Sequence, residues 1–200
     1  MIFEALELIR AELAAYLQPP RNATAVDVAL GSIAAVAGAQ TDQVLVSLVN
    51  VEEETALKNS SPYQRNPSGG FDLVNPPVFL NLFVLIGANF NDNATYATAL
   101  KRLAWAVQCF QQKNEFTVAN TPAATIADAA VAVRLHVALD LYSLSFEKMN
   151  QLWGTLGGKQ VPFVLYKVRV VEEQADGLLN TGPEIMRVEG RTGTLELQPT

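Results

Sequence analysis

Cysteine and histidine are almost absent from this 200-residue chain: Cys109 and His136 each stand alone. A single cysteine excludes an intrachain disulfide framework. With one histidine and one cysteine, a metal centre would have to be built almost wholly from carboxylates. Positive charge is also scarce. Fourteen Lys and Arg face twenty Asp and Glu, a net charge of −6, and no cationic cluster breaks the pattern. Nucleic acid and anionic lipid are both gripped through cations, so neither is an expected partner. Long hydrophobic runs are missing too. The longest, "PPVFLNLFVLIGANF" (76–90), is too short to span a bilayer and contains Asn81. The opening "MIFEALELIRAEL" mixes acids with apolar residues, whereas a signal peptide has a basic start and an unbroken apolar core. The expectation is a protein made and kept in a reducing cytoplasm.

What is present is enough for one domain with a true core, plus a small appendage: half the residues are hydrophobic and 17% are charged. Residues 2–17 place Ile2, Leu6, Ile9, Leu13 and Tyr16 at helical spacing, ended by Pro19-Pro20. Residues 26–33 read as a short strand and 43–51, "QVLVSLVNV", as a fuller one. The 56–76 stretch, rich in Asn, Ser, Pro and Gly, reads as a long loop. Residues 78–90 are apolar on both faces, the mark of a central strand in a sheet covered on both sides. A helix follows over 94–113, with Tyr96, Ala99, Leu100, Leu103, Val107 and Phe110 as its core face. "EFTVAN" (115–120) reads as a short strand. The period-two alternation from Val131 to Tyr142 predicts a further, long strand. Ser145 is placed to cap a helix that ends at the glycines of 154–158, and 163–171 is strand-like. The tail, 184–198, reads as a two-stranded ribbon turning near Gly190–Gly193. Strands adjacent in sequence and few helices predict an α+β fold, a mixed or antiparallel sheet flanked by a few helices. The expected division is a main domain over 1–175 and a carboxyl-terminal extension with a hairpin over 176–200.

Chemistry-bearing patterns do not assemble. The turn Gly154–Lys159, "GTLGGK", invites a phosphate-loop reading. That loop needs glycine five residues before its Gly-Lys and a hydroxyl after it. Those positions hold Trp153 and Gln160, and the turn follows a helix and precedes a strand, the reverse of the required order. Glycine as a helix stop explains it better. His136 and Asp140 share a strand face but lie about 13 Å apart along it. Consecutive acids Glu52, Glu53 and Glu54 point to alternating faces of an extended strand and cannot converge on one ion. Cys109 has no histidine near it in sequence, and no serine sits in a nucleophile elbow. No cofactor, metal or catalytic residue is expected.

Two features point to contact surfaces. Trp105 and Cys109 fall roughly 130–170° from the centre of the apolar stripe of the 94–113 helix, which places Trp105 either under a second layer or in an interface. The 56–76 segment carries Tyr63 and Phe71 and is either disordered or an arm that orders on a neighbour.

Four stretches together resemble one family: "VLVSLVNVEEE" (44–54), "PPVFLNLFVLIGANF" (76–90), "ALKRLAWAVQCFQ" (99–111) and "LSFEKMNQLWGTLGGKQVPFVLYKVRVV" (144–171). They are similar to the amino-terminal domain of the tube-terminating cap protein of extracellular contractile injection systems, particles built like contractile phage tails. The resemblance spans about residues 1–175, and the segment from Leu152 to Arg169 is its most specific part. It implies a structural, non-enzymatic protein resembling phage tail terminators. Six copies would ring the end of the inner tube distal to the baseplate, stop its growth and engage the last sheath layer. It implies partners in other copies of itself, the tube protein and the sheath protein. It also implies synthesis in a bacterial cytoplasm before incorporation into the particle. Larger members of that family continue into a further domain, whereas this sequence runs to Thr200. A ring closes through head-to-tail contacts. Tyr63, Phe71, Trp105, Arg187 and Arg191 are therefore candidate subunit or tube contacts, with 56–76 and 184–198 as the reaching segments. Alternatives are a tail-completion or connector protein of the same kind of particle, and a small α/β enzyme using the Gly154–Lys159 turn.

Overall fold

The structure, a computed structural model, describes residues 1–21, 25–36, 42–54, 63–67, 69–74, 78–157, 160–173 and 178–182. The chain divides into two compact units. One is Met1–Lys58 with Val78–Glu173; the other is Asn59–Pro77 with Gln174–Thr200.

The larger unit is built on a six-stranded sheet, in the order β1 (Val28–Leu30), β2 (Val44–Glu53), β5 (Val78–Ala88), β8 (Phe163–Glu173), β7 (His136–Leu141), β6 (Glu115–Thr117). Only β1 and β2 run parallel; every other neighbouring pair is antiparallel. The parallel pair needs a crossover, which passes through the short helix α2 (Ile33–Val36). This is the α+β fold with a mixed sheet that the element order predicts.

β5 explains its own sequence. It lies between β2 and β8, and its residues alternate between two cores. Leu82, Val84 and Ile86 meet the helix α1 (Ile2–Tyr16), which contributes Leu8, Ile9 and Leu13. Leu85, with Phe83 at its margin, joins the opposite cluster of Ile33, Leu45, Trp153, Val161 and Leu165. Both faces are covered, so the run is continuously apolar. Burying each such side chain stabilises by about 1.5–3 kcal/mol relative to exposure. Gly87 is the one gap: a Cβ there would lie 2.9 Å from Cδ1 of Ile33, so its absence lets α2 approach the sheet.

The helix α5 (Phe146–Thr155) covers part of the second face through Trp153, whose ring meets Phe163 edge-on at 5.2 Å. Ser145 accepts a hydrogen bond from the Lys148 N–H, as its sequence position predicts. Gly157 then takes φ 94° just past the helix, the left-handed conformation of a helix stop. Gly158 and Lys159 lie outside the described residues.

Three expectations are corrected. The alternation from Val131 is not one strand: residues Ala129–Arg134 form the helix α4, and only His136–Leu141 is extended. Asp128 caps α4, accepting from the N–H groups of Ala130 and Val131. Val133 is 87% exposed, so the alternation there never marked a buried face. Second, the 56–76 loop contains strands β3 (Tyr63–Arg65) and β4 (Phe71–Val74). They are joined by a turn in which Asn66 Oδ1 accepts from Gly70 N–H. With β9 (Leu178–Gly182), they make the three-stranded antiparallel sheet of the smaller unit. The predicted hairpin at 184–198 lies outside the described residues. The third correction concerns α3, below.

Candidate assembly surfaces

The helix α3 (Asn93–Gln112) begins at a capping box: Asp92 accepts from Thr95 N–H, and Thr95 Oγ1 accepts from Asp92 N–H. Its buried residues are Ala99, Arg102, Ala106, Cys109 and Phe110. This face is turned by about 80° from the stripe that the sequence marks as core, at 100° per residue. The cause is Arg102. Its side chain is buried, at 6% exposure, and grips Asp42 through both terminal nitrogens, at 2.5 and 3.0 Å. A buried guanidinium left without its carboxylate is strongly unfavourable, so this bidentate pair fixes the rotation of the helix. Ala99 and Ala106 on either side are small enough to let α3 close on the sheet.

The displaced stripe is left on the open flank of α3. Leu100 is 43% exposed and Tyr96 comparably so. Between them and the start of β8 lies a groove of about 620 Å³, lined by Phe90, Leu103, Met149, Pro162 and Phe163 among others. One turn further along, Val107, Leu139, Leu141 and Tyr166 line a second depression of about 430 Å³. Leu141 at its rim is 60% exposed. Sequence reasoning assigned this stripe to the core; the missed signal was Arg102 on the face opposite the leucines.

Trp105, by contrast, is partly buried and packs on the main core, and Cys109 beside it is buried. Tyr63 and Phe71 are exposed in the smaller unit. Register places Tyr63 opposite Leu73 and Arg65 opposite Phe71, so all four share one face of that sheet. Arg187 and Arg191 lie outside the described residues.

Among the described residues the polar side chains form ion pairs rather than a catalytic grouping. Asp140 pairs with Arg169 at 2.9 Å, and His136 Nε2 lies 3.7 Å from Glu115. Glu54 takes Lys167 at 3.5 Å. Burial, reinforced by the Glu12 carboxylate, pushes the Cys109 thiol up to about 12, the opposite of an activated nucleophile. Among the described residues no group of three or more His, Cys, Asp or Glu is placed to hold a metal ion. No described helix is long and apolar enough to cross a membrane.

The family described as the Pvc16 N-terminal domain matches residues 4–186. The chain belongs to that family. Its fold is that of two solved structures. One is the sheath/tube terminator of PVC, an extracellular contractile injection system, in its extended state. It aligns with a TM-score of 0.63 at 14% identity, over 99% of this chain and 65% of that one. The other is the cap of the anti-feeding prophage, a tube-terminating cap. It aligns with a TM-score of 0.52 at 16% identity, over 92% of this chain and 57% of that one. The chain therefore spans less than two thirds of the length of either. No curated protein is detectably similar in sequence.

Proposed function

We propose that this protein is a structural subunit that ends the inner tube of a contractile, phage-tail-like injection particle, as a ring of six copies that also engages the last sheath layer. The observation carrying this reading is the family match over residues 4–186, accompanied by a fold shared with two tube terminators. Its partners are other copies of the chain, the inner tube protein and the sheath protein. It needs no cofactor and performs no catalysis. Its place of work is the particle, after synthesis in the bacterial cytoplasm.

The physics of a terminator fits the surfaces described. Ring closure requires a head-to-tail contact between unlike patches on successive copies. The open apolar flank of α3 and the Tyr63/Phe71 face of the smaller unit are two such unlike patches, and with Trp105, Arg187 and Arg191 they are the proposed contacts. Electron microscopy of particles from a strain lacking the gene tests the reading. Tubes of uncontrolled length or unstable sheaths, restored by supplying the gene, are expected; normal particles in the deletion strain overturn it.

A further inference from the structure

β6 (Glu115–Thr117) is the last strand of the six-stranded sheet and pairs on one side with β7. Its other side is an edge, and an edge strand offers N–H and C=O groups to any strand that meets it. Alternate residues of a strand aim these groups to opposite sides. Leu139 N–H donates to Asn114 C=O at 2.8 Å, so Asn114 and Phe116 face β7, while Glu115 and Thr117 face outward.

Those outward groups are taken. The chain turns after Thr117, and Asn120 lays its side-chain amide along the edge. Asn120 Oδ1 accepts from Thr117 N–H at 2.9 Å, and its Nδ2 donates to Glu115 C=O at 3.1 Å. One side-chain amide thus makes the two bonds that a neighbouring strand would make there. Its orientation is fixed: reversed, the amide would set its NH2 against the Thr117 N–H. Thr121 Oγ1 donates to the same oxygen at 3.0 Å. Lys113 Nζ donates to the Asn120 C=O at 2.6 Å and reaches Glu12 on α1, also at 2.6 Å. Asn120 itself is exposed, so core packing does not account for this arrangement.

We propose that Asn120 is an edge guard: its amide occupies the outer edge of β6 and keeps β6 of a second copy from pairing there. Antiparallel self-pairing about Phe116 sets Glu115 of one copy opposite Thr117 of the other. The outward groups of both copies are then satisfied, and no two carboxylates stand face to face. Such a contact is isologous and closes as a dimer. It would divert subunits from any head-to-tail assembly, yet the inference does not depend on the ring proposal.

The test compares the full chain with Asn120→Ala and Asn120→Asp. Hydrogen exchange at the Thr117 amide reads the edge, and sedimentation velocity reads self-association. In dilute Asn120→Ala, the Thr117 amide should exchange about tenfold faster than in the unaltered chain. When concentrated, this variant should form dimers that the unaltered chain does not, and the Thr117 amide should regain protection. Asn120→Asp, which keeps the acceptor and loses the donor, should fall between the two; it also keeps the proposal testable if the alanine variant unfolds. Thr117→Pro removes the outward N–H, a change an edge strand tolerates. Added to Asn120→Ala, it should abolish the new dimer. Unchanged Thr117 exchange in Asn120→Ala, or association that persists with Thr117→Pro, overturns the proposal. A lower melting temperature with no added association makes Asn120 a turn residue only and overturns it equally.

Discussion

Gly157 stands at φ +94°, and no heavy atom lies within 4 Å of the place a Cβ would occupy. Substitution there acts on the backbone alone. Gly157→Val forces a β-branched residue into the left-handed region, at a cost of about 1–2 kcal/mol. The melting temperature should fall by a few degrees; an unchanged value would contradict the helix-stop role. Cys109 gives a second residue-scale expectation. Burial lifts its thiol from the ordinary 9.0 to about 12, and the Tyr166 phenol from 10.0 to about 12. Both groups hold their protons to a higher pH when folded than when unfolded. The unfolded chain therefore binds fewer protons above about pH 9, and stability falls from there towards about pH 12. Cys109→Ala should remove the earliest part of that decline in urea titrations at rising pH. In the native protein at neutral pH, Cys109 should not react with iodoacetamide.

At the scale of elements, α3 sets the clearest experiment. Leu100 is nearly half exposed, so Leu100→Gln should cost the isolated chain no more than about 1 kcal/mol. If the flank is an assembly contact, the same change should lower binding to tube ends more than about tenfold, because buried apolar anchors dominate interfaces. Equal loss of stability and binding would make the flank merely structural. The helix also shows what the sequence could disclose. Its existence and its length follow from apolar spacing, whereas the Asp92 capping box that starts it was not read from the sequence. Its rotation does not follow, because that depends on the Arg102–Asp42 pair, whose members are sixty residues apart. β5 was legible because burial on both faces leaves a sequence mark. α4 was not, because alternating Ala and Val satisfy a strand pattern while Ala and the Asp128 cap favour a helix.

The whole molecule carries a net charge of −6, so copies brought together in the proposed ring would repel through their net charge. Screening shortens from about 10 Å at 0.1 M salt to about 3 Å at 1 M, while the apolar contact proposed for the α3 flank would not weaken. Self-association should therefore strengthen with salt, as mass photometry in low and high sodium chloride would show. Weakening with salt would point instead to ion pairs as the main subunit contacts.

β9 also sets an order of events during synthesis. The smaller sheet needs this strand to pair with β4, yet Leu178 follows its partner Val74 by 104 positions in the chain. At about 5–20 residues per second, the β3–β4 hairpin leaves the ribosome roughly 5–20 seconds before its third strand exists. A two-stranded hairpin is marginal alone, so that sheet is completed only when translation has passed Gly182. A nascent chain cut short before that point would carry an open β4 edge, free to pair with any other exposed strand.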